Sequence, residues 1–190
     1  MGSEMCIRDR EYQYKLLKYY TEHYRIQKYE PCSGYVQFMF IDLCPQSFYG
    51  LYDWWGIPKK GLQAILESNA PVGVFAKHKD HLDSLYIVND TDGALGECEL
   101  TWIITETLNG ELVEKGSVKA EVPADSRVMV KTFEKEYGKG KKWNLTLILS
   151  DNSGKCMAKN TYQDICTLLS RVDGHPDRMS HEFGMRLYWA

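Results

Sequence analysis

GYVQFMFIDLCPQSFYGLYDWWGIPKKG, residues 34 to 61, packs Phe38 and Phe40 into one apolar run and follows them with Phe48, Tyr49, Tyr52, Trp54 and Trp55. Tyr35 to Ile41, YVQFMFI, is almost unbroken in apolar character, which predicts a strand buried on both faces, as in a parallel sheet. Asp42 to Ile57 then reads as a loop. Pro58 suits a first helical position, and Leu62, Ile65 and Leu66 mark one apolar stripe that ends at Ser68. The stretch is therefore strand, long loop, helix.

Upstream, Tyr12, Leu16, Leu17, Tyr20 and Tyr24 recur at three- and four-residue steps among Lys, Glu and Gln, predicting an amphipathic helix over Glu11 to Glu30. Pro31, Ser33 and Gly34 end it. The first ten residues, MGSEMCIRDR, do not join this pattern; they resemble a translated sequencing remnant and are set apart from the fold. Downstream of Asn69-Ala70-Pro71 the apolar period changes from near 3.6 to 2, which marks a domain boundary. In ECELTWIIT, Cys98, Leu100, Trp102 and Ile104 point one way; in WNLTLILS, Trp143, Leu145, Leu147 and Leu149 do the same. Asn109-Gly110 and Asn152 to Gly154 are hairpin signals, and further strands are expected at Val72 to Lys77, Leu82 to Asn89, Glu111 to Val122, Ser126 to Phe133 and Lys155 to Asn160. About seven short strands with regular turns read as an immunoglobulin-like sandwich. The tail from Thr161 to Ala190 has no clear period.

Composition narrows the function classes. A 190-residue chain with 44% hydrophobic, 26% charged and 13% aromatic residues is globular in character. A net charge of -3 without a long basic run gives no electrostatic footprint for nucleic acid. No stretch of about 18 apolar residues exists to span a bilayer. Cys32, Cys44, Cys98, Cys156 and Cys166, with Cys6 set aside, show no metal-binding spacing; their odd number favours reduced, mostly buried thiols over a disulfide framework. His175, His181 and Glu182 fit no helical metal pair, so no metal site is expected. The sequons at Asn89 and Asn144 read as coincidental.

What remains is the aromatic stretch. In parallel barrels the active site lies at the carboxyl ends of the strands, where Asp42 stands. A sugar offers an apolar C–H face and a rim of hydroxyls, so its site needs flat aromatic walls edged by carboxylates or amides. Phe38, Phe40, Asp42 and the aromatics after Pro45 supply those types. Plain packing is the competing reading, with Phe38 and Phe40 on one strand face and Trp54 and Trp55 covering the end of a sheet.

The ordered series Gly34, Phe38, Asp42, Pro45, Asp53, Pro58-Lys59 and Pro71-Val72 resembles the end of the catalytic barrel of glycoside hydrolase family 2, the group of β-galactosidases, β-mannosidases, β-glucuronidases and exo-β-glucosaminidases. The resemblance covers roughly Arg10 to Asn160. It implies a mixed fold, the end of a TIM (β/α)8 barrel (helix, strand, helix) over residues 11–70, an all-β immunoglobulin-like sandwich over 71–160, and an irregular tail over 161–190. Phe38 falls where the family usually carries Trp on the eighth strand, and Ile41 where it often carries Asn. By the resemblance, Phe38, Asp42, Trp54 and Trp55 contribute to a pocket for a carbohydrate substrate. Retaining glycosidases use two carboxyl groups about 5–5.5 Å apart, and in this family both are glutamates on strands that would precede Arg10. The chain is thus expected to be a fragment of a retaining β-glycosidase whose N-terminal part is missing. Alone it should contain no catalytic residue and hydrolyse nothing, and the parent should need no cofactor. The alternative is a non-catalytic immunoglobulin-like module that binds carbohydrate or protein. A fragment should also leave Leu16, Leu17, Tyr20, Phe38 and Leu62 more exposed than such residues normally are.

Overall fold

The computed structural model describes residues 4–46, 50–78, 81–134 and 142–163. Phe48, Tyr49, the tail with His175, His181 and Glu182, and most of the Lys-rich loop before Lys142 lie outside them. Two helices, α1 (Glu4–Arg25) and α2 (Lys60–Ser68), precede seven strands: β1 (Val72–His78), β2 (Leu82–Asn89), β3 (Gly96–Glu106), β4 (Leu112–Val122), β5 (Ser126–Thr132), β6 (Trp143–Asp151) and β7 (Cys156–Tyr162). All seven expected strands are present, most within a residue or two of the expected ends. They form two antiparallel sheets, ordered β1-β2-β5 and β4-β3-β6-β7.

The period-2 pattern explains the core. Leu100, Trp102 and Ile104 of β3 and Leu145, Leu147 and Leu149 of β6 lie on one face, paired Leu100 with Leu149 and Trp102 with Leu147. They meet Val74, Ala76, Leu85 and Ile87 from the facing sheet. Each fully buried aliphatic side chain contributes about 1.5–3 kcal/mol. The backbone of β4 at Gly116 comes so close to the Trp102 indole that no Cβ would fit between them.

The three-stranded sheet is buried on its other face as well. Phe75, Tyr86 and Val88 form a second cluster with Ile26, the residue after α1. A helical layer therefore covers this sheet, and β1 and β2 lose the alternation that β3 and β6 keep. The two helices pack at Gly61, where a Cβ would come within 2.8 Å of Gln13 and Leu17.

Three expectations are corrected. Tyr35 to Ile41 is not a strand: the run bends at Phe38 and Phe40 and its backbone meets the chain only at its end, where the Met39 and Phe40 carbonyls accept from Leu51 and Tyr52 and Ile41 bridges Tyr52, with Val36 94%, Phe38 80% and Phe40 65% exposed. A two-faced apolar strand needs neighbours on both edges, and the described residues provide only a short contact with Leu51 and Tyr52 at its end. Second, α1 ends at Arg25, not Glu30; tight bonds from Gln27 to Tyr24 (3.1 Å) and from Lys28 to Arg25 (3.2 Å) close its last turn. At its other end, residues 4–10 continue the helix, since none of them is Gly or Pro. Third, the face of α1 that is buried is polar: Gln13, Thr21, Glu22, His23 and Arg25. The stripe of Leu16, Leu17 and Tyr20 is only half-buried, as is Leu62 on α2. Together with Phe38, all five side chains expected to be under-buried are so.

Buried polar groups are usually paired, and at the joint between α1 and the sandwich one network pairs those around Glu22. The Glu22 carboxylate accepts from Lys18 Nζ (2.8 Å), Asn160 Nδ2 (2.9 Å) and the Tyr162 hydroxyl (2.7 Å). Asn160 also donates to the Val74 carbonyl (2.9 Å), and the Ala76 amide donates to the Tyr162 oxygen (3.0 Å). Next to it His23 places its Nε2 3.1 Å from the His78 carbonyl oxygen. One turn on, Arg25 donates to the Ser68 carbonyl (2.5 Å) and to Asp90 (2.6 Å). Helix and sandwich are thus joined by charge-assisted bonds reaching across more than one hundred residues of sequence.

The cysteines also differ from expectation. Cys32, Cys44, Cys98 and Cys156 are free thiols, but only Cys98 is buried, while Cys44 and Cys156 are exposed. Cys44 lies in an open loop and Cys156 begins an edge strand, so neither meets the core. The sequon asparagine Asn89 is fully buried and donates to the carbonyls of Gly93 (2.8 Å) and Pro123 (2.9 Å), which leaves it no room for a glycan.

Candidate functional site

Among the four residues singled out from sequence, Asp42 behaves differently from the aromatics. Its side chain is buried, at 2% exposure, and the Lys59 ammonium pairs with one carboxylate oxygen. The other oxygen accepts from the Gly50 amide (2.6 Å) and from Gln46 (3.2 Å). Burial pushes this carboxyl up, but the bonds from Lys59, Gly50 and Gln46 outweigh it and hold Asp42 below the usual carboxylate range. A Cβ on Gly50 would strike the Asp42 carboxylate and the Tyr52 carbonyl, so glycine is required there. Asp42 is therefore the inner tie of its loop, not an open carboxylate at a pocket rim.

Asp53 is a second tie. Its Oδ1 accepts from the amides of Trp55 (2.9 Å) and Ile57 (2.9 Å), and its own amide donates to the Ile57 carbonyl (2.9 Å). This is the local turn chemistry that aspartate favours, and Gly56 completes the turn at φ +78°. Lys59 then returns to the loop, its amide 2.8 Å from the Leu51 carbonyl.

The aromatics sit outside these ties. Trp54 is 51% and Trp55 70% exposed. A parallel bridge joins Ile41 to Tyr52, with bonds from Tyr52 to Phe40 (3.0 Å) and from Asp42 to Tyr52 (3.1 Å). That register puts Phe38 on the entry side of the bridge and Trp54 with Trp55 beyond its exit. Phe40 rests against Tyr52, ring centroids 5.1 Å apart, so Phe40 and Tyr52 form the middle of the surface. Phe38, Trp54 and Trp55 are thus left open by the described residues, whereas Phe40 packs on Tyr52. Their exposure would have to be supported by rigid backbone, which the two aspartates provide.

No protein-family model matches the sequence, and no curated protein matches it. Solved structures do. The exo-chitosanase CsxA of Amycolatopsis orientalis, an exo-β-D-glucosaminidase, superposes with a TM-score of 0.69 over 80% of this chain at 18% identity. The β-D-mannosidase of Dictyoglomus thermophilum gives 0.64 over 78% at 21% identity. The chain shares the fold of a segment of these glycosidases. It spans only 18% of the length of each. Both enzymes are of kinds named in the sequence resemblance.

Among the described residues, no group of three His, Cys, Asp or Glu side chains is placed to hold a metal ion. No described helix is long and apolar enough to cross a membrane. One feature escaped the sequence reading altogether. A cleft of about 290 Å³ opens where the end of α1 meets the sandwich, with Tyr24, Tyr29 and Tyr35 among its walls. Tyr24 belongs to the apolar stripe of the amphipathic helix, and its spacing four residues after Tyr20 carries no sign that it stays 38% exposed.

Proposed function

We propose that this chain is the part of a retaining β-glycosidase of family 2 in which the last elements of a (β/α)8 barrel pass into an immunoglobulin-like sandwich. In that setting Tyr35 to Ile41 is the eighth strand, its pairing completed by further barrel elements. Residues 11–70 are the barrel end, with their half-buried Leu16, Leu17, Tyr20 and Leu62 facing further barrel elements. The sandwich supports the barrel through the Glu22 network.

The observation that carries this reading is the conjunction of a fold shared with two β-glycosidases and exposed Phe38, Trp54 and Trp55 on a loop tied by Asp42 and Asp53. Those three aromatics would form walls for the C–H faces of a terminal β-linked sugar. Asp42 has a different role from the one expected: with both oxygens engaged it positions the loop. Asp53 is committed to backbone amides likewise. Neither can act as nucleophile or acid/base without releasing its partners, so hydrolysis would use two carboxyl groups and water supplied outside the described residues. No organic cofactor takes part in such a reaction.

Tryptophan fluorescence tests the reading. Methyl β-mannoside or methyl β-glucosaminide should perturb the emission of the 190-residue chain, and Trp54→Ala with Trp55→Ala should remove the response. The chain should release no p-nitrophenol from the corresponding p-nitrophenyl glycosides. Turnover abolished by Asp42→Ala would refute the assignment of Asp42 as a tie. Sugar binding with no dependence on Trp54, Trp55 or Phe38 would favour the second reading, a non-catalytic sandwich module, which the closed two-sheet core also supports.

A further inference from the structure

His78 ends β1 where α1 crosses the sandwich, and three other rings enclose its own. Tyr19 and His23 of α1 lie 5.3 and 5.6 Å away between centroids and Tyr162 of β7 lies 5.4 Å away, each edge-on. The side chain is 9% exposed, and its Nδ1 is buried with no hydrogen-bond partner among the described residues. A neutral imidazole tolerates this, because a ring nitrogen without a proton leaves only a lone pair unused. An imidazolium carries an N–H on both nitrogens, so protonation would strand a charged donor inside the cage.

The charges facing the cage oppose a second cation. From α1, Lys18 and His23 stand towards His78, and Glu22 is already engaged by Lys18, Asn160 and Tyr162. On β1 itself Lys77 pairs with Asp83 (3.3 Å), and Leu82, the partner of His78 on β2, carries no charge. From β7 comes the Tyr162 phenol, which burial and then Glu22 push well above the ordinary tyrosine range, so it stays neutral. His23 sets its Nδ1 2.8 Å from the Tyr19 carbonyl and its Nε2 3.1 Å from the His78 carbonyl; burial lowers it too, against the pull of these acceptors and of Glu22.

Acid therefore acts on the joint and not on the sandwich behind it. Apolar contact across the joint is confined to Ile26 with Phe75, Tyr86 and Val88, whereas the space between the sheets is filled by side chains such as Leu85, Leu100 and Leu147, which have nothing to titrate. A polar contact of this kind opens more cheaply than a packed core. We propose that the joint is an acid-released latch: protonation of His78 frees α1 from β1 and β7 while both sheets stay paired. The latch does not depend on the sugar reading of the Phe38 to Lys59 segment.

Linkage gives the size of the effect. The open joint lets His78 bind its proton near the ordinary value of 6.5, and the closed joint holds it at about 3, so closure is strongest at neutral pH and weakens as pH falls between those values. From pH 7 to pH 5 the ratio of open to closed should rise about 25-fold through His78 alone, with His23 adding to it. Carboxylates of ordinary pKa, near 4, remain mostly ionised over that span.

Native-state hydrogen exchange on the 190-residue chain tests the latch. In low urea the amides of Tyr19 to Arg25 should exchange through an opening of their own, at lower free energy than the unfolding that exposes the amides of Leu100 and Leu147. Corrected for intrinsic rates, that opening should be about 25-fold or more commoner at pH 5 than at pH 7. His78→Gln, which cannot titrate, should divide the rise by about tenfold or more. Should that variant not fold, the His78 ring proton shift of the unaltered chain serves instead and should stay flat from pH 7 to pH 5. A ring that titrates near its ordinary value would overturn the proposal, as would a rise that His78→Gln leaves intact. One opening shared by α1 and β3 at both pH values, or an α1 opening indifferent to pH, would do the same.

Discussion

Replacing Glu22 with alanine should undo the joint between helix and sandwich. The side chain is 1% exposed and accepts three hydrogen bonds, from Lys18, Asn160 and Tyr162. Its partners would not suffer equally. Lys18 keeps Asn160 Oδ1 at 2.5 Å and is close enough to solvent to find water, and Asn160 keeps the Val74 carbonyl. Tyr162 loses the Glu22 acceptor of its hydroxyl proton, while its oxygen still receives the Ala76 amide and Asn160 Nδ2. One stranded buried donor costs about 1–3 kcal/mol, and removing one partner of a buried charge pair costs about 3–5 kcal/mol. The two figures overlap, so Glu22→Ala should lose about 3–4 kcal/mol. Glu22→Gln should lose about half that, because the amide oxygen still accepts and the phenol can rotate. Urea unfolding followed by circular dichroism reads both. With a slope of about 2 kcal/mol per molar, the alanine midpoint should fall by about 1.5–2 M without a change in slope. The phenol offers an internal check: burial, then the Glu22 charge and bond, push Tyr162 well above the ordinary tyrosine range. In Glu22→Gln its ultraviolet titration should move down. A loss below about 0.5 kcal/mol for the alanine variant, the range of ordinary surface substitutions, would refute the claim that this network joins the two parts.

Other expectations follow from the same geometry. Burial, then the charges of His23 and Lys18, lower His78 to about 3. The unfolded chain therefore binds the extra proton between about pH 6.5 and 3, so the stability this residue contributes declines as pH falls through that window. His78→Phe should flatten the decline in urea midpoints measured from pH 7 to 4. Asp42, depressed by Lys59 and Gly50, contributes stability above the ordinary carboxylate pKa near 4 and loses it as pH falls through its own lower value. The protection of the Gly50 amide against exchange, relative to an unstructured amide at the same pH, should fall in acid, and Asp42→Asn should show that fall already at neutral pH. Asn89→Ala would release Gly93, Pro123 and Thr91 together, and a melt should show a loss of about 2–3 kcal/mol. Gly116→Ala would press on Trp102 and should cost about 1–3 kcal/mol in the same assay.

Patterning in residues 72 to 162 was enough to locate all seven strands: β3 and β6 have one wet and one dry face and write that difference into adjacent residues, while β1 and β2, covered on both faces, read as apolar runs between turn signals. Turn residues marked the breaks, and the Leu62 and Leu66 spacing announced α2, although the helix begins at Lys60 and Pro58, expected as its first residue, bridges to Tyr52 instead. The aromatic density and the aspartates of residues 34 to 61 were equally plain, and so was their tie to a family motif.

Only the folded chain assigned the roles. Asp42 and Lys59 are seventeen positions apart and look like two ordinary charges in sequence; burial together makes them a clamp. Tyr35 to Ile41 has strand composition, but a strand exists only where neighbouring edges accept its backbone bonds, and composition cannot supply those edges. The buried face of α1 was misread for a related reason. Helical spacing reports which residues share a face, while the partner surface decides which face goes inside, and here Asn160 and Tyr162 of β7 offered hydrogen bonds that drew in Glu22 instead of the leucine stripe. Local chemistry is encoded in short windows and can be read there; pairings across a hundred residues depend on which surfaces meet, and that is settled by packing.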